Sequence, residues 1–320
     1  MEIKRYKPRM RILLNMNSHK TIKHLVLSGG GATGFAFYGA LRESNKTGFW
    51  DIHNIETTHS TSVGGIFLTF VVLLKMMTWE EYDILIYKRP WDQVYNFKME
   101  NLLNFYQNCG ILGRKTIVDT FYPVFTSLDI SLDVTLHQFY EITGIEMHYY
   151  VTDLTEFELV DLSYKTHPDW TVVDAVHASS ALPVLFQPTQ VNGKLYADGA
   201  IFCNYPVKQC IEIADDPDEI LGLYKSTPKK EDSPNSNRNN NMLDYLMTIM
   251  DKLLNRIAIE TPNIKNNIEF IGESTNAYGV YKVMYDPVIR LALIDSGIDV
   301  WNEFYEKTYS PTITNHSTET

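Results

Sequence analysis

The stretch "LVLSGGGATGF", residues 25–35, constrains the fold more than any other part of the chain. An apolar run breaks at a glycine cluster, and helix-compatible residues follow at once. Strand, tight turn and helix in so few residues form the opening unit of a layered α/β sheet. Gly29-x-Gly31-x-x-Gly34 also satisfies the dinucleotide fingerprint, in which backbone amides at a helix N-terminus hold a pyrophosphate. Amides so arranged can equally hold the oxyanion of an acyl transfer. The glycines alone leave that choice open.

Strand and helix patterns keep alternating downstream. Residues 24–28 read as a short buried strand and 34–43 as the helix after it; 52–60 read as a second strand and 63–77 as a strongly apolar helix. The section 79–143 reads as mostly helical and is rich in aromatics. "IEMHYYVTDL" and "EFELVDLSY" read as successive strands, with a helix over about 171–180. Asn192-Gly193, between two extended runs, is the favoured chemistry of a two-residue hairpin turn.

A chain of 320 residues, 44% of them apolar, can bury a substantial core. Its longest apolar run, Val63 to Leu74, has 12 residues, well short of the roughly 20 that span a bilayer. "ILLNM" near the N-terminus is too short for a secretory signal. Cys109, Cys203 and Cys210 are an odd number without a CxxC pair, which indicates neither a disulfide framework nor a zinc site and fits a reducing, cytoplasmic setting. The net charge of −11 argues against broad nucleic-acid binding. Residues 1–23 nevertheless hold seven basic side chains against Glu2 alone; the plainer reading is a solvated terminus, the sharper one an arm for peripheral contact with anionic headgroups. Four segments are expected: a basic arm over 1–21, a catalytic core over 22–225, a surface loop over 226–241 with no aliphatic or aromatic side chain, and a helical part over 242–320 on the same core. In that last part Leu243, Leu246, Met247, Met250, Leu254 and Ile257 fall at helical spacing.

The anion-site question turns on "HSTSVGGIF", residues 59–67. A serine between a strand and an apolar helix, with small residues around it, is the arrangement of a nucleophile elbow. Ser60 and Gly64 flank Ser62, and the helix dipole favours negative charge at its hydroxyl. A dinucleotide site wants an acidic residue about 20 residues past the glycines; Glu56 is near that distance, but the chain runs from it into the serine motif. A P-loop fails because Phe35, not Lys, follows Gly34. A late triad histidine is missing as well: after His177 only His316 remains, in a polar tail. His59 and His177 read as structural histidines. Asp198, in "KLYADGAIFCNYP", by itself reads as a turn cap.

Taken together, "GGGATG" at 29–34, "STSVGG" at 60–65, "VTDLTEFELV" at 151–160, "ASSALPVLFQP" at 178–188 and "ADGAIF" at 197–202 resemble the patatin-like phospholipase family over roughly residues 22–225. The resemblance implies a three-layer α/β sandwich with a central, mostly parallel sheet between helices. It implies a lipid acyl hydrolase of phospholipase A or lysophospholipase type, with Ser62 as nucleophile and Asp198 as its base. Amides of Gly29, Gly30 and Gly31 would form the oxyanion hole, supported by Gly34, Ser60, Gly64 and Gly199. No metal and no cofactor is required. The substrate would be a membrane phospholipid or lysophospholipid. Two positions depart from the family pattern: Ser60 stands where the elbow usually has glycine, and Thr33 where the glycine motif usually has Arg or Lys. The rival reading is a catalytically silent lipid-binding or interaction protein on the same scaffold.

Overall fold

The computed structural model describes residues 19–97, 105, 107–227, 245–246, 249–250, 252–253, 262, 264–272 and 277–309. Its strands are β1 (His24–Leu27), β2 (Thr57–Thr61), β3 (Gly110–Leu112), β4 (Glu146–Asp153), β5 (Glu158–Leu162), β6 (Val184–Phe186), β7 (Thr189–Val191), β8 (Lys194–Asp198), β9 (Ile220–Ser226) and β10 (Asn266–Ile271). Eight of them make one sheet in the order β10-β9-β1-β2-β4-β8-β7, with β5 on β4. The run from β10 to β4 is parallel, whereas β5, β7 and β8 pair antiparallel. β3 and β6 form a separate parallel pair.

Helices flank this sheet, as the layered reading expects. α1 (Gly34–Lys46) follows β1, and α2 (Val63–Val72) follows β2. The main core lies on the face that α1 and α2 cover, and draws Leu25 and Leu27 from β1. Val26 points the other way, into a smaller cluster with Tyr205, Val207, Cys210, Ile220 and Ile264. Successive strand residues alternate faces, so a parallel sheet covered on both sides has apolar residues at three successive positions of β1, Leu25 to Leu27, after buried His24, which pairs with the Thr57 hydroxyl at 2.8 Å. Helix Pro287–Tyr309 crosses α1 so closely that a Cβ on Gly39 would lie 2.1 Å from the Ile294 carbonyl oxygen.

Several boundaries differ from the sequence reading for local reasons. Residues Ile52–Asn54 form a 3-10 turn, capped by Asp51, whose carboxylate accepts from the His53 amide at 2.9 Å; the strand therefore starts only at Thr57. The apolar stretch after Ser62 leaves α-geometry at Val72 and tightens into the 3-10 turn Leu73–Lys75. Within 79–143, β3 interrupts the helices because β6 offers it a partner. Ser226 is the last residue of β9, so the expected surface loop begins later; its residues 228–241 lie outside the described ones, as do residues 1–18 of the basic arm. Of the amphipathic stripe, Leu246 and Met250 are described, and Met250 packs on the main core. The hairpin is as expected: Asn192 (φ 51°) and Gly193 (φ 80°) are both left-handed between Val191 and its partner Lys194, a type I′ turn. Among the described residues no helix is long and apolar enough to cross a membrane.

Candidate active site

Ser62 occupies the single position between β2 and α2, at φ 56° and ψ −130°. Serine adopts such a conformation at a cost of about 1–3 kcal/mol, so the surrounding packing must impose it. That packing is visible. A Cβ on Gly64 would lie 2.7 Å from the Leu27 carbonyl oxygen and 2.9 Å from that of Ser28, so the first turn of α2 runs against the end of β1 with no room for a side chain. The Ser62 amide donates to Ser179 Oγ at 3.0 Å, and that hydroxyl donates to the Tyr150 carbonyl at 2.8 Å, which ties the elbow to β4.

β4 also delivers Asp198. Tyr150 pairs with Thr61 at the end of β2, and the next residue, Val151, pairs with Asp198 at the end of β8. β5 occupies the other edge of β4, so β8 fills the edge that β2 leaves when the chain turns away at Ser62. Serine and aspartate thus converge from two strands meeting end to end along β4. The Asp198 carboxyl accepts from the Ala200 amide at 2.9 Å, and the Ser62 side chain lies near enough to favour its ionised form. Asp198 is 1% exposed; burial outweighs the influence of the Ala200 amide and of Ser62 and pushes its pKa up to about 7. The turn that follows needs glycine, because a Cβ on Gly199 would lie 2.2 Å from the Tyr150 carbonyl oxygen.

The glycine loop forms the third wall. A Cβ on Gly29 would lie 3.2 Å from the Ser62 Cβ, so loop and serine are immediate neighbours. Gly31 is left-handed (φ 54°) and opens the 3-10 turn Gly31–Thr33 that runs into α1. Gly34 is packed so tightly on Phe67 and Val63 of α2 that a Cβ would come within 2.6 Å of both. One expectation is narrowed: the Gly29 amide donates to the Asn204 carbonyl at 3.0 Å and is already committed, which leaves Gly30 and Gly31 as the loop's candidate oxyanion donors.

Ser60 does not obstruct the elbow. Its hydroxyl donates to the His148 carbonyl at 3.3 Å and lies 3.4 Å from where a Gly65 Cβ would be, in space that Gly65 leaves open. His59 and His177 are not near-neutral bases: both are buried, one beside the Tyr150 hydroxyl and the other beside Thr189, and burial first of all pulls both pKa values down. Three residues escaped the sequence reading. Ser179 and Asn204 act through contacts that only the folded chain creates. Lys225, buried at the end of β9, runs its stem along the glycine loop, with its Cδ 3.3 Å from the Cβ position of Gly30. A Cβ on Gly272 would lie 3.2 Å from Lys225 Cε and 3.4 Å from Thr33 Oγ1, so this lysine flanks the position where the motif's basic residue is missing.

A mixed, mostly parallel sheet between helices, with a serine on a strained strand–helix turn beside a buried aspartate, is a layered α/β fold with a candidate site at one end of its sheet. Residues 25–211 match the family model described as patatin-like phospholipase, and the chain belongs to that family. It is 25% identical over 195 residues to a probable lipid hydrolase of Invertebrate iridescent virus 6, a match covering 60% of this chain and 64% of that protein, so under two thirds of that relative's length is spanned. An uncharacterized protein of Acanthamoeba polyphaga mimivirus is 28% identical over 250 residues, covering 72% of this chain and 76% of the other. The crystal structure of VipD from Legionella pneumophila shares the fold at a TM-score of 0.53 and 19% identity, covering 91% of this chain and 68% of that one.

Proposed function

We propose that this chain hydrolyses fatty-acyl ester bonds of phospholipids or lysophospholipids through an acyl-enzyme on Ser62, with Asp198 as general base. The observation that carries the reading is the meeting of a strained Ser62 with an aspartate whose pKa is about 7. An ordinary aspartate is too weak a base to take a serine proton, whereas one near neutrality is both ionised at working pH and basic enough to act. Asp198 takes the Ser62 proton as Oγ attacks the ester carbonyl. Negative charge builds on the carbonyl oxygen, toward the Gly30 and Gly31 amides and the N-terminus of α2. Asp198 then protonates the departing alcohol, leaving the acyl group on Ser62. Water, deprotonated by the same carboxylate, attacks the acyl carbonyl, and as the acyl–Oγ bond breaks Asp198 returns the proton to Ser62 Oγ and the fatty acid leaves.

The test is covalent labelling with a fluorophosphonate probe, alongside mass spectrometry of products from a mixed lipid panel. Ser62→Ala should lose both labelling and fatty-acid release while keeping its melting temperature within a few degrees. Labelling that persists in this variant overturns the nucleophile assignment, and a wild-type chain that neither labels nor hydrolyses supports the silent-scaffold reading.

A further inference from the structure

At the same end of the sheet as Ser62, two phenylalanines face solvent. Phe157 is 64% exposed and Phe202 38%, and their rings meet edge to face with centroids 4.9 Å apart. They come from separate segments. Phe157 ends the four-residue loop between Asp153 and Glu158, which closes β4 and β5; Phe202 directly follows the turn Gly199–Ile201 beside Asp198. Phe157 is left-handed at φ 56°, in a hairpin position where glycine or asparagine is favoured and a bulky ring is an outlier. Its loop is held firmly. Asp153 accepts from the Thr155 amide at 2.8 Å and pairs with Lys194 at 2.7 Å. Leu154 and Leu195, each 37% exposed, enlarge the apolar surface and are joined by a backbone hydrogen bond of 2.8 Å.

We propose that Phe157 and Phe202 form a wedge that docks the open end of the site into a zwitterionic phospholipid layer; the choice of a lipid occupant rests on the acyl-hydrolase reading. In the isolated protein this ring is offset only by its edge contact with Phe202 while most of it stays in water, whereas insertion at an interface removes its apolar area from water. Exposed Glu156 and Glu158 bracket Phe157, so this surface favours uncharged over anionic membranes. A second copy fits poorly. A two-fold contact would set these glutamates against their own counterparts, and four apolar side chains fall short of the ~800 Å² per partner of a stable interface.

The test uses the full chain carrying Ser62→Ala, so that vesicles stay intact, in co-sedimentation with phosphatidylcholine vesicles. Adding Phe157→Asn should lower the partition coefficient about tenfold. The same variant should melt at or above the parent temperature, because asparagine tolerates the left-handed backbone. Phe157→Trp should retain binding, and added salt should not weaken it. Unchanged partition of the Asn variant overturns the wedge, and so does equal loss in the Asn and Trp variants. Binding that needs anionic lipid and vanishes in salt also overturns it and points to basic residues. Because Ser62 is absent throughout, failure of the wedge and failure of the nucleophile assignment are separate outcomes.

Discussion

At the scale of single residues the candidate site trades stability for chemistry, and Asp198 shows the sign of that trade. Folding raises its pKa from 3.8 to about 7, so the folded chain holds this proton more tightly than the unfolded one. Stability therefore falls as the pH rises from about 4 to 7, as the buried carboxylate is forced to ionise. Asp198→Asn keeps the shape and the bond from the Ala200 amide without that charge. In denaturant titrations it should be more stable than the parent at pH 8 by up to about 4 kcal/mol, with the gap closing toward pH 4. Its hydrolysis should drop ~10²–10⁴-fold, the range for a positioned general base. Hydrolysis by the parent should rise with pH through about 7. Ser60 tests the elbow from the other side. Since its hydroxyl fits the space over Gly65, Ser60→Gly should change kcat less than about tenfold, whereas the Ser60→Leu side chain must displace α2. A 1 Å shift of the Ser62 hydroxyl would cost ~10²-fold in rate. If Ser60→Gly instead switches on an inert wild type, the scaffold is degenerate.

Among the elements, β2 and β4 explain both what the sequence discloses and what it conceals. "TTHST" looks too polar for a central strand, yet every one of its residues is buried. Several of its polar atoms are answered from outside, His59 Nδ1 by the Tyr150 hydroxyl, Ser60 by the His148 carbonyl and Thr61 by the Cys203 carbonyl, whereas Thr58 Oγ1 and His59 Nε2 are buried without a hydrogen-bond partner. The elbow was legible because a strand–serine–helix turn with Gly64 beside it is a local pattern. Lys225 and the Asn204 carbonyl on Gly29 were not, because pairing β9 with β1 and folding 204 back on 29 depend on contacts far apart in sequence. One such long-range feature is testable. His148 lies between Asp161, 2.7 Å from Nδ1, and Glu146, 3.4 Å from Nε2, and stacks on His59 at 4.3 Å. Burial alone would lower its pKa, but the two carboxylates win and raise it to about 9. Its stabilising effect is thus complete below about pH 6.5 and lost as the pH climbs through 9. His148→Gln should destabilise the chain at pH 6 by about 3 kcal/mol, and urea midpoints of variant and parent should converge by pH 9. A constant difference across that range would mean the histidine contributes by packing alone.

For the whole molecule, the question is whether the region beyond the glycine-loop core belongs to the same cooperative unit, which the crossing of α1 by helix Pro287–Tyr309 makes measurable. The two helices meet through reciprocal gaps: a Cβ on Gly39 would lie 2.1 Å from the Ile294 carbonyl oxygen, and one on Gly297 would lie 2.0 Å from that of Ala36. Both obstacles are backbone, so neither can be relieved by a side-chain rotation. Adding one methyl must push the helices apart along a contact that also buries Phe49 against Trp301, with ring centroids 4.8 Å apart. Overpacking of this kind costs about 1–3 kcal/mol. Gly39→Ala and Gly297→Ala should each lower the melting temperature by several degrees within one unfolding transition, read alike by tryptophan fluorescence and far-ultraviolet circular dichroism. The double variant should lose less than the sum, because the separation forced by the first methyl makes room for the second. If Gly39→Ala instead splits melting into an early loss around Trp301 and a later loss of the sheet, the C-terminal helix is a separate unit docked on the glycine-loop core.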